Sequence, residues 1–235
     1  MVRVGRAAKA CNTGGHETMS EASLELRTLS DRLVETVRDF ILSGAISSNE
    51  PIRQDALAAE LKVSKIPLRE ALARLQQDGL VVSYPNRGFF VRAMSLAEAE
   101  DIYALRLKLE PGAAAAACAL ANEAERAAAI AALARFDDDA IAHRPNVGAT
   151  NRAFHIALFA PGAGAVTLDL LSRLQVLADR YVCKHLEPKG RELAAEAEHH
   201  DILNAWLARD QMRVRTLLAH HLEHTLSDLR VELAP

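Results

Sequence analysis

Two short amphipathic helices joined by a tight turn are predicted by LAAELKVSKIPLREAL, residues Leu57–Leu72. The apolar spacing places the first helix at about 54–60 and the second at about 65–77. Between them the chain breaks for a few residues and ends at Ser64, a residue type that caps helix N-termini. This arrangement is typical of a helix-turn-helix.

The second of these helices combines an apolar face with a face that can read DNA. At about 100° per residue, Lys65, Arg69 and Gln76 fall within one narrow sector, away from the leucine stripe. Cationic and amide side chains are the groups that bind phosphates and base edges. A solvated charged face on an ordinary surface helix has the same pattern, so the helix alone leaves both interpretations open.

A β-hairpin is predicted next, with short strands at about 80–83 and 89–92. The turn between them contains Pro85–Gly88, where proline presets a turn and glycine supplies a positive φ, and Arg87 lies at its tip. A helix-turn-helix followed by such a hairpin is a winged helix. The wing therefore favours DNA binding over the solvated-face interpretation.

Composition and charge narrow the class of protein. The 235 residues carry a net charge of −3, but residues 1–94 have 13 basic and 11 acidic side chains while residues 95–235 have 15 and 20. We therefore expect residues 1–94 to be the part that binds an anionic polymer. The three cysteines, Cys11, Cys118 and Cys183, are far apart and predict no disulfide framework. With no apolar run of about 18–20 residues and no signal-like start, we expect a cytoplasmic protein with no membrane association.

The chain divides into a flexible leader at 1–22, a winged helix-turn-helix domain at 23–94 and a helical effector-binding and dimerisation domain at 95–235. The last part starts with a capping box at Ser95 and shows only helical periodicity, interrupted by a break or kink at Pro111-Gly112. The predicted fold class is mainly α, with the N-terminal winged helix-turn-helix followed by an antiparallel helical bundle.

Three histidines lie on the apolar stripes of their helices: His155, His199 and His221. Asn151 precedes His155 by one helical turn, and a hairpin turning at 209–210 would put His199 and His221 at nearly the same height. Any one inward histidine is more often a satisfied core residue. Three at one level with an amide oxygen favour metal ligation by zinc, nickel or another first-row divalent ion.

The segments Leu57–Leu72 and Pro85–Gly88 resemble the GntR family of bacterial transcription regulators, and the match extends over about residues 28–93. The resemblance implies that operator DNA is contacted by four residues, with Arg87 as a neighbouring phosphate contact. These four are Ser64, Lys65, Arg69 and Gly88. Lys65 and Ile66 stand where Arg and Thr are more usual, so the operator sequence does not carry over from relatives.

The segments 151–155, 198–203 and 220–222 extend the resemblance to the FCD subgroup, whose regulators have a FadR-like C-terminal ligand domain. It implies four metal ligands, namely Asn151, His155, His199 and His221. Asparagine stands where aspartate is common, which removes one negative charge from the site.

The same resemblance implies an effector pocket. Arg106, four residues before Glu110, would form an ordinary surface salt bridge on an isolated helix. In similar proteins, however, the arginine of this segment points toward the effector, where a guanidinium can clamp a carboxylate. Arg180 is a further candidate for effector binding.

Together these features predict a homodimeric regulator that binds double-stranded operator DNA and senses a small organic acid through a bound metal. A metal-dependent enzyme built on the histidine cluster would also need a general base. The adjacent carboxylate, Glu198, points about 100° away from His199 along the helix. We therefore expect no enzyme. A DNA-binding protein with a purely structural metal remains an alternative.

Overall fold

The computed structural model describes residues 29–48, 50–142, 147–185 and 191–234. The predicted leader, residues 1–22, lies outside this part of the chain. The first elements are α1 (Leu29–Leu42), α2 (Gln54–Glu60), α3 (Lys65–Gln77), β1 (Val81–Tyr84) and β2 (Gly88–Val91). The helical region contains α4 (Leu96–Leu120), α5 (Glu123–Ile141), α6 (Val147–Phe159), α7 (Ala165–His185), α8 (Arg191–Leu207) and α9 (Gln211–Glu232).

The helix-turn-helix is built around the leucine face of α3. Leu68, Leu72 and Leu75 are fully buried and share a core with Val37 of α1. The turn between α2 and α3 contains Lys62 at a φ of 55°, a left-handed conformation that reverses the chain in few residues. The core orients α3 so that its polar face stays outside.

The wing is an antiparallel hairpin in which Val81 pairs with Val91 and Tyr84 with Gly88. Asn86 has a φ of 60°, as the third residue of a turn closed by a hydrogen bond from the Arg87 N–H to the Tyr84 carbonyl. Gly88 also has a positive φ. Asparagine therefore shares with glycine the role that the sequence assigned to glycine alone.

A second, separate core holds the helical bundle together. It runs from Ala99 on α4 to Leu229 on α9, and α4 packs along α9, α7 and α6. Trp206 is fully buried on α8 and donates a hydrogen bond to the Leu158 carbonyl at 2.8 Å. Within the described residues no helix is both long enough and apolar enough to cross a membrane.

Of the break or kink expected at Pro111-Gly112, the break does not occur, because α4 continues from Leu96 to Leu120 with Pro111 inside it. An internal proline removes one backbone hydrogen bond and crowds the preceding turn. Pro111 and the adjacent Glu110 are both buried in the bundle. The packing of α4 against its neighbours therefore outweighs the local preference.

The hairpin between α8 and α9 forms where the sequence predicts it. Arg209 takes a φ of 60°, and the Asp210 side chain caps α9 by accepting from the Arg213 N–H at 3.0 Å. The two helices then run antiparallel, which brings the middle of α8 level with the middle of α9.

Candidate metal centre and nucleic-acid interface

Three imidazoles from three helices meet inside the bundle. His155 of α6 and His199 of α8 are each 1% exposed, and His221 of α9 is 6% exposed. The Nε2 atoms of His199 and His221 lie 3.2 Å apart. The centroid of the His155 ring is 5.4 Å from the centroid of each of the other two rings. Asn151 lines the same cavity from one turn earlier on α6. The structure thus brings together all four residues singled out as metal ligands.

Three of the six ring nitrogens in this cluster have no hydrogen-bond partner among the described residues. Among the described residues, neither ring nitrogen of His155 nor Nδ1 of His199 has a hydrogen-bond partner. Burial lowers the pKa of His155 to about 4, and the Glu110 carboxylate offsets only part of this effect. Burial, with the nearby His221 and His155, also holds the pKa of His199 well below its ordinary value. Both rings are therefore neutral at pH 7, the form that binds metals.

These observations fit a metal ion. A buried polar atom without a partner costs free energy, and a native protein seldom keeps several together without a ligand. Three nitrogen donors with a neighbouring amide oxygen suit a borderline divalent ion. The residues present therefore match the requirements of the predicted site.

Glu198 holds the outer side of His221. Its Oε2 lies 2.7 Å from Nδ1 of His221, and its Oε1 lies 2.8 Å from Nδ1 of His224. Burial alone would raise the pKa of Glu198, but the contacts with the two histidines outweigh it and lower that pKa to about 2. An ionised carboxylate can only accept, so Nδ1 of His221 donates to Glu198, and Nε2 faces the cavity 3.2 Å from Nε2 of His199.

Sequence reasoning missed this role because it compared Glu198 only with His199 on the same helix. The contact joins two helices, and only their packing reveals it. The available signal was the equal height of α8 and α9, which applies to Glu198 as well as to His199.

A buried ion pair forms the floor of the cavity. Arg106 and Glu110 are 1% and 0% exposed, with Nε and Nη2 of the arginine donating to the two carboxylate oxygens at 2.6 and 3.3 Å. This excludes the surface salt bridge as an interpretation. Burial would raise the pKa of Glu110, but the charge of Arg106 and the contact with His155 lower it to about 2. Glu110 Oε2 lies 3.5 Å from Nδ1 of His155, an ion-pair separation rather than a good hydrogen bond.

The cavity among these side chains is small. Its volume is about 10 Å³, room for about one water molecule, and it is lined by Arg106 together with Asn151 and the three histidines. Nη2 of Arg106 is also within 3.4 Å of the Gln175 side-chain oxygen. An ion fits in this arrangement, whereas an organic acid requires the surrounding side chains to move.

Arg180, the other effector candidate, does not line this cavity. It donates to the Arg92 carbonyl at 2.7 Å, forms an ion pair with Glu98 and contacts the Tyr181 hydroxyl. Its partners lie where the wing joins α4. The structure thus places Arg180 at the junction between the winged helix and the bundle.

Helices α6 and α7 also lie close to the DNA-reading part. Arg152, next to Asn151 on α6, pairs with Asp179 of α7. Burial and the charge of Arg38 on α1 lower the pKa of Arg152 to about 10. At the end of α3, Gly79 has a φ of 82°, and a Cβ there would lie 2.6 Å from the Leu177 side chain of α7.

The recognition helix presents its predicted contacts to solvent. Ser64, Lys65, Arg69 and Gln76 are all exposed. Ser64 occupies the N-cap of α3, but its side chain makes no capping hydrogen bond. Lys65 pairs with Asp55, and both side chains are mostly exposed, so the pair is weak and can open toward a phosphate.

The wing places a second cation beside this helix. Arg87 is exposed, and its guanidinium lies 5.4 Å from the centre of the Phe90 ring and 5.8 Å from that of Tyr84. Gln76 and Arg87 line the same open cleft, which has a volume of about 730 Å³. Five of the six predicted DNA contacts are therefore exposed on one unit, α3 with the wing, while Gly88 in the wing is partly buried.

Fold and site together define a winged-helix DNA-binding protein with a helical domain that contains a buried histidine cluster. The FCD domain matches residues 101–224, and the gntR family of bacterial regulatory proteins matches residues 29–91. The chain belongs to the GntR family of transcriptional regulators, in the group that carries an FCD domain. It is a DNA-binding transcriptional regulator rather than an enzyme, as the sequence predicted.

Known transcriptional regulators match this chain over nearly its whole length or over about a third of it. The uncharacterised HTH-type transcriptional regulator BphR of Paraburkholderia xenovorans (strain LB400) is 28% identical over 240 residues, which cover 96% of each chain. The Nta operon transcriptional regulator of Aminobacter aminovorans is 45% identical over 76 residues, covering 32% of this chain and 36% of that protein. The solved structure of E. coli McbR/YncC has the same fold, with a TM-score of 0.72 and 21% sequence identity. The match covers 87% of this chain and 98% of that one.

Proposed function

We propose that this regulator is a homodimer that responds to a small organic acid through a divalent metal, zinc or nickel, held in its helical domain. In this proposal residues 23–94 bind DNA, and residues 95–235 bind the effector and form the dimer. The observation that carries the proposal is the convergence of three buried imidazoles, with both ring nitrogens of His155 and Nδ1 of His199 lacking partners among the described residues.

Operator binding is assigned to the outward side of α3 and the wing. Arg69 and Gln76 have the donors that read base edges in the major groove, while Lys65 and Arg87 are placed for phosphates. We expect the protein to bind as a homodimer to a palindromic operator, because helix-turn-helix dimers read two half-sites about one helical turn of DNA apart, with one α3 in each.

Asn151, His155, His199 and His221 would hold the metal. A divalent ion bound there supplies a Lewis-acidic centre to which a carboxylate oxygen can bind. Glu198 accepts from Nδ1 of His221, whose Nε2 faces the cavity, and Glu110 sits behind His155. The remainder of the site is thus provided by charged side chains that orient the ligands.

Arg106 is the group in this chain that would recognise the acid. Its guanidinium is already engaged by Glu110 and Gln175, so a carboxylate effector competes with these partners for the same donors. The small cavity must also expand. Binding of the acid therefore requires movement of α4 or α7, where these residues lie.

That movement has a direct connection to the DNA-reading part. Helix α7 carries Arg180, which holds the Arg92 carbonyl at the end of the wing, and Leu177, which packs against Gly79 at the end of α3. A shift of α7 would change the position of α3 relative to the bundle. In a dimer this alters the spacing of the two recognition helices and hence the operator affinity.

Fluorescence anisotropy with an operator selected from random duplexes tests the proposal. Zinc-loaded protein is screened by thermal shift against small carboxylic acids, and the acids that stabilise it are added to the operator titration at fixed salt. We expect an acid that changes operator affinity by about 5-fold to 150-fold, the usual range of allosteric coupling, and no such change in His155→Ala/His199→Ala. Anisotropy changes that persist in that variant would contradict the assignment.

The small cavity favours one alternative, a purely structural metal. In that case metal removal lowers the thermal stability, yet no acid changes either the unfolding temperature or the operator affinity. The same two measurements therefore separate the two functions.

A further inference from the structure

Helix α8 directs three successive side chains toward three different groups of potential ligands. His199 points into the buried cluster, whereas Glu198 and His200 lie about 100° to either side of it. Glu198 meets His220 and His224 of α9 at the surface. His220 and His224 have no part in the function proposed above.

The outer group has the geometry of a chelate. His220 and His224 are four residues apart on α9, so both rings project from the same face, and their centroids are 3.9 Å apart. Glu198 Oε1 lies 2.8 Å from Nδ1 of His224. One ligand atom from each of the three side chains lies within 4.8 Å of those of the other two.

Only a small adjustment is needed to close this group on an ion. Tetrahedral zinc with bonds of about 2.0–2.1 Å places its ligand atoms roughly 3.3 Å apart. The side chain of His224 is 51% exposed and that of Glu198 is 28% exposed, so both can rotate without disturbing the core. Two imidazoles and one carboxylate, with solvent free to fill the remaining position, are ligands that borderline divalent ions accept.

We propose that Glu198, His220 and His224 form a second, solvent-facing site for a divalent transition metal such as Zn²⁺ or Ni²⁺. The site is separate from the buried cluster, since it shares no histidine with it. Glu198 touches both, because its other oxygen contacts His221. An ion bound at the outer site is therefore linked to the buried site through the Glu198 carboxylate and the His221 imidazole.

This position gives the outer site a role in metal uptake. The buried cluster is closed, with its histidines between 1% and 6% exposed. An exposed pair of histidines next to it would collect metal from solution and keep it beside the buried ligands. We expect the outer site to bind more weakly, because it has three protein ligands and all of them lie at the surface.

Zinc titration of the full-length protein in competition with a chromophoric chelator tests the site. The chelator-stripped wild type should bind about two zinc ions per chain, with the weaker one lost in His220→Ala/His224→Ala. His200→Ala is the comparison variant, because His200 is an exposed histidine on the adjacent face of α8 that belongs to a different group of potential ligands, with Asp137 and Glu196. It should keep both ions. Circular dichroism should show the same helix content in all variants.

The outcomes separate this site from the buried one. His155→Ala/His199→Ala should lose the tighter zinc ion and keep the weaker one; failure of that result contradicts the proposed buried centre alone. Unchanged stoichiometry in His220→Ala/His224→Ala overturns the outer site. An equal loss in His200→Ala also overturns it, since the weaker ion would then not be specific to Glu198, His220 and His224.

Metal transfer provides a kinetic check on the uptake role. Zinc added to stripped protein should fill the buried site at least several-fold more slowly in His220→Ala/His224→Ala, while the final tight affinity stays the same. Equal filling rates would show that the outer site is not on the uptake route.

Discussion

Lowering the pH from about 8 to about 5 is expected to destabilise the metal-free protein through its buried histidines. The pKa of His155 is about 4 in the folded protein, against about 6.5 for an exposed histidine. Between these values the unfolded chain binds the additional proton, so the free energy of unfolding falls as the pH falls. At pH 5 the difference for His155 alone is about 2 kcal/mol. His199, whose pKa is also depressed, adds to it in the same direction.

The charged neighbours do not reverse this sign. His155 faces Arg106 and Glu110 from α4, His199 from α8 and His221 from α9. The pKa of Glu110 is lowered to about 2, so this carboxylate stays ionised in the folded protein throughout the window. Its own contribution to stability is lost only below the ordinary carboxyl range, at about pH 4 and lower.

Urea unfolding followed by circular dichroism measures the effect, in the presence of a chelator and at one fixed chain concentration. His155→Gln is the control, because glutamine keeps a polar side chain there but does not titrate. We expect the pH dependence in this variant to be smaller by about 2 kcal/mol over the same interval. A wild-type stability that is flat or increases toward pH 5, or an equal slope in His155→Gln, would refute the reasoning.

Three further predictions concern the DNA interface, the junction and the orientation of His221. Arg69→Ala should weaken operator binding by about 1–3 kcal/mol, and Arg87→Ala should reduce the slope of log affinity against log salt by about 1, both measured by anisotropy at several salt concentrations. Gly79→Ala should lower the free energy of unfolding by more than about 1 kcal/mol in urea, because the backbone φ there is positive and the added Cβ would clash with Leu177. An unchanged midpoint of the urea transition would contradict this packing. Glu198→Gln should weaken the tight zinc site by about 10- to 100-fold in chelator competition, and unchanged affinity would remove Glu198 as an orienting group.

The DNA-binding half could be predicted from the sequence almost completely. The bounds of α2 and α3 agree with the expected 54–60 and 65–77, because a leucine stripe and a glycine at the end are local signals. Ser64 stands at the predicted N-cap of α3, although its side chain makes no capping hydrogen bond. The bounds of each strand of the wing differ by one residue from the predicted 80–83 and 89–92. Its turn uses Asn86 as well as Gly88 for positive φ, a choice that the flanking sequence does not determine.

The bundle was less predictable wherever long-range packing decides. A break at Pro111 is the local expectation, and burial against neighbouring helices overrides it. The meeting of His199 and His221 followed from helix rise and one hairpin turn. The contacts of Glu198 with His221, and of Arg180 with the wing junction, depend on side-chain directions between helices, which periodicity does not specify.

Anomalous X-ray diffraction at the zinc absorption edge, from crystals of zinc-loaded protein, tests the buried metal centre most directly. The account predicts an anomalous peak among His155, His199 and His221, with zinc–nitrogen distances of about 2.0–2.1 Å and the Asn151 oxygen beside it. Zinc found elsewhere in the chain, with the three imidazoles bonded only to one another or to water, would contradict it.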